Sequence, residues 1–463
     1  MIKKKQIFVK IGSDTFAGFP DALKANGLVF LSGVRPNQKN NTKKIFNELP
    51  KIGQEKNQGF FLADHMESEV AYDAWNIHIT MDRILEAAGT NAHQILRQHM
   101  WQKDKRFFPV YENIRQNIQK IPAPSSGLGV TDVYSNQKST IGLDAIAVCP
   151  GENSKLTERE VVAKLDDKDL PSAGFYSQAV RTGNLVFTAG HIPIKTSEKG
   201  KPVVSSFEDI PLEGRFLSTG RSHPDSRDGP IASQTWFTYN ELKRTLEKQG
   251  LTLADTINST VYLTDIRDFS TFHRVHRHFF PNGGPALTVS GFAEVGHRGC
   301  LIEIELTASE LDRKNKKVNV PWPIKAPLFA PAAIISGDFI FYSGILGLNN
   351  QSQIVSKLED CDDVTENLAS LILKTSDSEI VSSQILSACN LLSKIANNAC
   401  SSINDLAKIT IYIRKPEYYD SFFLIIKHFI SPENLPAIEC VIIPNPGPIF
   451  EAEIQIEAIG LPS

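Results

Sequence analysis

Side chains able to do chemistry gather in a few stretches of this chain. HRVHRH at 273–278 sets His273 and His276 one helical turn apart, a spacing from which two imidazoles can bind zinc. No acidic or cysteine ligand is fixed nearby by the sequence, so the stretch reads as a basic exposed helix face and not as a metal site. GRFLSTGRSHPDSRDGP at 214–230 carries Arg215, Arg221, His223 and Arg227 among three glycines. Long irregular loops in compact domains usually serve a purpose, here the delivery of an arginine to a neighbouring cleft; the alternative is a solvated loop whose charges pair with Asp225 and Asp228. LIEIELTA at 301–308 alternates carboxylates with aliphatics, as does a strand with one buried face. The six cysteines, Cys149, Cys300, Cys361, Cys389, Cys400 and Cys440, form no CxxC pair and read as free, mostly buried thiols. No GxGxxG or phosphate loop stands in suitable context, so no cofactor is expected.

These groups sit in a repeating frame. GFYSQAVRTGNLVFTAGHIP at 174–193 is a β-hairpin signal, two apolar or β-branched runs about a Gly183-Asn184 turn. GLVFLSG, NLVFTAG and DFIFYSG end at Gly33, Gly190 and Gly344, 157 and 154 residues apart (190 − 33 and 344 − 190). A period this long means tandem domains, not a solenoid. Closing strands recur as IGLDAIAV at 141–148, IEIELTA at 302–308 and IQIEAIG at 454–460.

Between hairpin and closing strand each unit carries helix, strand, helix. Val70, Ala74, Ile77, Met81, Ile84 and Leu85 make one apolar stripe, as do Ala232, Trp236, Tyr239, Leu242 and Leu246, and Ile385, Ala388, Leu392, Ile395 and Ala399. Steps of three and four suit a helix lying on a sheet. Strand-like runs follow at 95–104, 257–266 and 407–416, then second helices marked by Tyr111, Phe272 and Phe422. The charged residues 151–171 and the basic, Pro-rich 311–323 read as surface connections.

The 463 residues suffice for about three domains. A formal net charge of −3 argues against a general nucleic-acid binder. No apolar run approaches a membrane span and the N-terminus lacks a signal-peptide core, so a cytoplasmic protein is expected.

The motifs carry a resemblance. With FYSQAVRTGNLVFTAGHIP at 175–193, GPALTVSG at 284–291 and LIEIELTA at 301–308, the middle unit resembles the Rid (YjgF/RidA) family of reactive-intermediate deaminases. The third unit is similar through LPAIECV at 435–441 and IQIEAIG, the first through LVFLSG, EAAG and DAIAV. The resemblance implies an α+β fold: three tandem YjgF/chorismate-mutase-like domains at 1–155, 166–312 (with a long 205–230 insertion) and 323–463. Each would be a mixed β-sheet with two helices on one face, and the three would form an intramolecular pseudo-trimer from a monomeric chain with three non-identical clefts.

It also implies site residues. Family members hydrolyse enamine and imine acids to 2-oxo acids and ammonia; an arginine in a PARxxV segment holds the substrate carboxylate and a glutamate in the closing EIE strand positions water. Leu287, Ile438 and Gly127 match the arginine, which is therefore absent from every unit. Glu303 matches the glutamate, replaced by Gln455 and Gly142 elsewhere. Tyr176, Ser32, Ser343 and Cys440 match further family positions, while Ala189 replaces the middle unit's serine. Glu303 and Tyr176 are thus the expected catalytic pair. Ser32, Ser343, Cys440 and an arginine from Arg215, Arg221 or Arg227 are expected to bind substrate, and His297 and Arg298 stand near a cleft mouth. The expected function is a divergent Rid-fold enzyme acting on a small carboxylated or carbonyl metabolite at an inter-domain cleft. The alternatives are an inactive ligand-binding scaffold and an enzyme on a cyclic acid such as chorismate. Neither a metal, a nucleic acid nor a membrane is expected as a partner.

Overall fold

The computed structural model describes residues 4–9, 16, 18–36, 65–135, 138–151, 154–162, 167–218, 228–311, 316–372 and 379–463. The first third runs β1 (Lys5–Ile7), β2 (Ala22–Ala25), β3 (Leu28–Leu31), α1 (His65–Ala87), β4 (Ile95–Gln102), α2 (Phe108–Ile118), β5 (Ser125–Gly129), β6 (Asp132–Val133) and β7 (Ile141–Val148). Next come β8 (Glu160–Val161), β9 (Ala179–Thr182), β10 (Leu185–Thr188), α3 (Asp228–Glu247), β11 (Thr256–Leu263), α4 (Phe269–Phe279), β12 (Ala286–Gly291) and β13 (Ile302–Ser309). The last third holds β14 (Val318–Val320), β15 (Ala333–Ser336), β16 (Phe339–Tyr342), β17 (Ile345–Leu346), α5 (Glu366–Ile372), α6 (Glu379–Asn398), β18 (Leu406–Ile413), α7 (Tyr418–Phe429), β19 (Ala437–Ile442) and β20 (Ile454–Gly460).

The fold is mixed α+β with three mixed sheets of one strand order: β1-β2-β3-β7-β4-β5, β8-β9-β10-β13-β11-β12 and β14-β15-β16-β20-β18-β19. β4/β5, β11/β12 and β18/β19 pair in parallel. The third sheet gains β17 beside β20, and β6 from the first third at its edge. Two stretches expected as plain connections carry edge strands instead: β8 pairs with β9, and β14 with β15. Val161 and Val318 supply β-propensity there, and pairing satisfies the hairpins' outer backbone groups.

Each hairpin turns in two residues. Gly183 adopts φ +54°, a left-handed conformation that glycine takes without a Cβ penalty. The apolar stripes pack as their spacing requires: Val70, Ala74, Ile77 and Met81 of α1 bury against Ile141, Leu143, Ala145 and Ala147 of β7. The α3 and α6 stripes likewise share one core with Ile302, Ile304 and Leu306, and with Ile454 and Ile456.

The closing strands correct the expectation of a single buried face. All eight residues of β7 and of β13 are buried. Their polar alternates face inward, toward a junction where the three sheets meet. Asp144, Glu305 and Glu457 stand there at equivalent register, opposite His99, Thr260 and Thr410. His99 bridges two sheets, with Nδ1 2.8 Å from Asp144 Oδ1 and Nε2 3.0 Å from Glu305 Oε1. Lys408 pairs with Asp144, and Arg97 lies 3.4 Å from Glu305. Glu457 accepts from Thr260 Oγ1 at 2.8 Å and Tyr412 OH at 2.7 Å.

Burial alone would strip these groups of charge, and the neighbours decide otherwise. Against burial, Glu305 and Asp144 raise His99 to about 10; against burial, Arg97 and His99 hold Glu305 at about 2. Glu457, whose hydrogen bonds among the described residues come from hydroxyls, is pushed up by burial.

Removing one partner of a buried pair strands the other. Asp144→Asn, which leaves Lys408 uncompensated, is expected to cost about 3–5 kcal/mol in guanidinium unfolding, with Asp144→Leu/Lys408→Met recovering most of it. Because His99 is raised from its ordinary 6.5 to about 10, its contribution is complete below pH 6.5 and disappears as pH rises through 10. The difference in unfolding midpoint between the parent and His99→Gln should therefore shrink over that window.

Candidate functional site

The parallel pairs locate the position of the family arginine. Leu287 pairs with Ser259 and Ile438 with Ile409; in the first sheet the equivalent pair is Gln98 and Ser125. Ser125 therefore holds the position, two residues before the expected Gly127. The first unit's PAPSSG run lacks the Pro-Ala-X register of the other two, so sequence alignment slips there. Opposite Tyr262, Tyr412 and Trp101 stand Glu303, Gln455 and Gly142.

Each hairpin leans on the neighbouring sheet's parallel strand, and the three seams differ. Between the third and first sheets, Gly33 N donates to Ile438 O at 2.7 Å and Ile438 N to Ser32 Oγ at 2.9 Å. Between the second and third, Gly344 N donates to Leu287 O at 3.0 Å and Leu287 N to Ser343 Oγ at 2.9 Å. Both hydroxyls also donate to a proline carbonyl, Pro20 and Pro331. Ser32 and Ser343 are buried, and their hydroxyls are engaged by backbone groups of the two seams.

Those two seams are filled by the protein itself. Gly142, at the glutamate position, makes room for the Arg35 guanidinium, which forms a buried ion pair with Glu439 and lies 5.3 Å from the centre of the Phe16 ring. Cys440 is buried in this seam, its carbonyl accepting from Arg35. In the other, Gln455 packs against Gly344 and accepts from Ser290.

The seam between the first and second sheets keeps a cavity of about 40 Å³, lined by Lys105, Arg115, Ser125, Gly127, Tyr176, Gly190, His297 and Glu303 among others. That is room for on the order of three waters. Ala189 replaces the stitching serine here, and no Gly190–Ser125 backbone pair forms among the described residues. Glu303 and Tyr176 thus face one space.

The carboxyl of Glu303 is buried, accepts from Gly296 N at 2.9 Å, and is raised by burial, partly opposed by Lys105, to about 7. Lys105 Nζ ties the first sheet to the second, donating to Gly127 O at 2.6 Å and Gly296 O at 2.5 Å; burial lowers its pKa. Arg115, buried on α2, donates from Nη1 to Ser125 Oγ at 2.9 Å and pairs with Glu112 at 2.9 Å, while its Nε–H has no partner among the described residues. A guanidinium therefore stands beside the position of the family arginine, delivered by a helix instead of the strand. Tyr176 OH accepts from Ala173 N at 3.2 Å, and burial pushes the phenol up.

Of the arginine loop only Arg215 can be placed, and it is turned to its own loop. Arg215 donates to the carbonyls of Ile210 (3.0 Å) and Glu208 (3.4 Å) in its own loop, and Arg221 and Arg227 lie outside the described residues. HRVHRH is an exposed face only in part: Arg277 and His278 are exposed, whereas His276 is buried and 2.7 Å from Tyr239 OH. Sequence reading missed Arg115 and Lys105. The only available signal was an i, i+3 Glu112–Arg115 pair on a helix otherwise read for its apolar stripe.

A sequence model described as Endoribonuclease L-PSP matches residues 219–310. A RutC family protein of Pyrococcus horikoshii is 32% identical over 135 residues, 29% of this chain and 86% of the relative. The Escherichia coli protein named 2-iminobutanoate/2-iminopropanoate deaminase is 25% identical over 149 residues, 32% of this chain and 94% of its own. The solved structure of a chorismatase aligns over 80% of this chain and 93% of its own at 12% identity and a TM-score of 0.46.

A methyl group at Gly190 would fall 1.9 Å from Glu303 Oε1 and 2.6 Å from Ser126 Oγ. Gly190→Ala is therefore expected to cost about 1–3 kcal/mol in chemical denaturation, and a crystal structure of the variant should show the carboxyl displaced and the cavity closed.

Proposed function

The chain belongs to the Rid (YjgF/RutC) family, and from that premise we propose that it is a divergent Rid-fold enzyme hydrolysing a small carboxylated imine or enamine at the cleft between its first two units. The units are taken as residues 1–155, 166–312 and 323–463, arranged as an intramolecular pseudo-trimer in a monomeric chain. The threefold recurrence of one strand order and the two hairpin-to-strand backbone stitches support that arrangement.

One observation carries the functional reading: the raised carboxyl of Glu303 and the unpartnered Nε–H of Arg115 belong to side chains lining the same cavity. Arg115 offers a substrate carboxylate a charge-assisted hydrogen bond, with Lys105 adding positive potential. A carboxyl near 7 exchanges protons at neutral pH. Water adds across C=N, a proton passes to nitrogen, and ammonia leaves a 2-oxo acid. Tyr176 narrows the pocket, whose volume favours a short-chain substrate. The deaminase name of the Escherichia coli relative agrees with this chemistry. An inactive binding scaffold is the second reading, favoured by Ser125, Leu287 and Ile438 at the arginine positions.

The protein is expected to accelerate ammonia release from short-chain 2-imino acids generated by an amino-acid oxidase. Glu303→Gln should lower kcat/KM by about 10²–10⁴ while calorimetry still detects 2-oxobutanoate. Arg115→Lys, which loses the fork geometry, should weaken that binding about tenfold or more. Binding without ammonia release would establish the scaffold instead, and absence of both would remove the cleft reading.

A further inference from the structure

A second cavity, of about 170 Å³, opens where α1 and α2 both end, and it shares no lining residue with the cleft. Asp82 and Glu86 bring it two carboxyls one helical turn apart on α1. Gln119, the residue after α2, brings an amide, Ile118 and Ile121 a hydrocarbon wall, and the turn at 91–93 the remaining side. Glu86, His93 and Ile121 are exposed, which leaves the cavity open to solvent.

Its carboxyls and its amide oxygen lack donors. Among the described residues, Asp82 Oδ1 and Gln119 Oε1 are buried atoms without a hydrogen-bond partner, and no lysine, arginine or histidine pairs with Asp82 or Glu86. Gln119 is only 3% exposed. Its Nε2 donates to Gln98 Oε1 at 2.9 Å, and Gln98 Nε2 to Tyr111 OH at 2.8 Å, so the amide is held by its nitrogen end and the oxygen is the end left for the cavity. Burial and Glu86 raise the Asp82 carboxyl to about 6, as befits a charge without a counter-ion. The end of α1 adds to the negative potential, because no basic residue stands in its last turn to answer the helix dipole. Lys24, which reaches that end, spends its Nζ on Cys149 Sγ at 2.8 Å and Ala88 O at 3.4 Å and does not line the cavity.

The missing partner is a cation that carries several donors and an apolar body. A bare Ca²⁺ wants about six to eight oxygen ligands, and no group of three His, Cys, Asp or Glu residues fit for a metal stands among the described residues. A primary ammonium has three N–H donors, one for each orphaned acceptor group. A protein cavity of about 150 Å³ holds a benzene molecule, so the volume here suits a chain of on the order of five carbons. We propose that this cavity binds a small primary alkylammonium compound, with Asp82, Glu86 and Gln119 Oε1 receiving its N–H donors and Ile118 and Ile121 covering its chain. The site is independent of the reaction assigned to the cleft.

Pentan-1-amine is the probe, and pentan-1-ol matches its shape without the charge. At pH 8 the amine is cationic and Asp82 is ionised. Ligand-observed NMR titration of the full chain is expected to give a Kd on the order of 1 mM for the amine and no saturable binding of the alcohol. Asp82→Asn/Glu86→Gln should weaken the amine about tenfold or more, while the unliganded variant melts no lower than the parent because a like-charged i, i+4 pair has been removed. Ile121→Lys, at an exposed position, sets the protein's own ammonium beside the cavity and should block the amine, which keeps the test open should the double variant not fold. Equal binding of amine and alcohol would reduce the site to an apolar hollow, and Ca²⁺ binding abolished by the same variants would make it a metal site. An amine affinity unmoved by the variants would place the amine elsewhere. Each of these outcomes overturns the proposal, as does absence of binding, and none of them depends on ammonia release at the cleft.

Discussion

Three carboxylates at equivalent register converge on one buried junction, and the architecture is built around keeping them apart electrostatically. Asp144, Glu305 and Glu457 come from different sheets, and unpaired carboxylates in low dielectric would be driven to protonate or would oppose closure. Each meets a different answer. Asp144 has Lys408 and His99, Glu305 has His99 and Arg97, and Glu457, among the described residues, has the hydroxyls of Thr260 and Tyr412. The pairs Lys408–Asp144, His99–Glu305 and Arg97–Glu305 each join sheets formed by different thirds of the chain. Their geometry is therefore tied to one arrangement of the three, since a rotated or exchanged sheet would bring like charges together.

The same asymmetry explains why the seams differ. With one glutamate position in each sheet, a single chain is free to keep one and spend the others. Gly142 yields its space to Arg35, whose charge is answered by Glu439; Gln455 turns to Ser290. Both solutions add contacts between sheets at the cost of a cavity. Glu303 remains beside the hairpin whose serine has become Ala189, so the loss of the stitch and the survival of the acid occur in one seam. The serine changes and the glutamate changes are complementary in this respect, although no single unit displays the whole pattern.

Much of the frame was visible in the residues because it depends on local regularities. The turn at Gly183-Asn184, the 3.6-residue stripes and the alternating closing strands are each set within a few positions, and each appears where the spacing places it. Polarity on β13 misled for a physical reason: alternation reports that two faces differ, not that one is wet, and here the polar face is buried against other sheets. The edge strands β8 and β14 escaped notice because two or three residues paired to a hairpin carry no period. Of the candidate residues, Glu303 and Tyr176 come together, whereas Ser32, Ser343 and Cys440 belong to the filled seams. Arg215 remains in its own loop.

Arg115 shows where such reading reaches its limit. A motif position can be lost from a strand while its charge returns from an element that merely passes nearby, and nothing local marks the substitution. Ser125 is too short to reach into the cleft, but its hydroxyl accepts from Arg115, so the small residue at the old position orients the new cation. Glu112 and the Phe175 carbonyl complete the seat and leave Nε as the donor without a partner. A cation held this way cannot swing, which favours recognition of a planar anion at one depth in the cleft. That depth lies beside Glu303, which lines the same cavity two residues before the Glu305 that helps to hold the sheets in register.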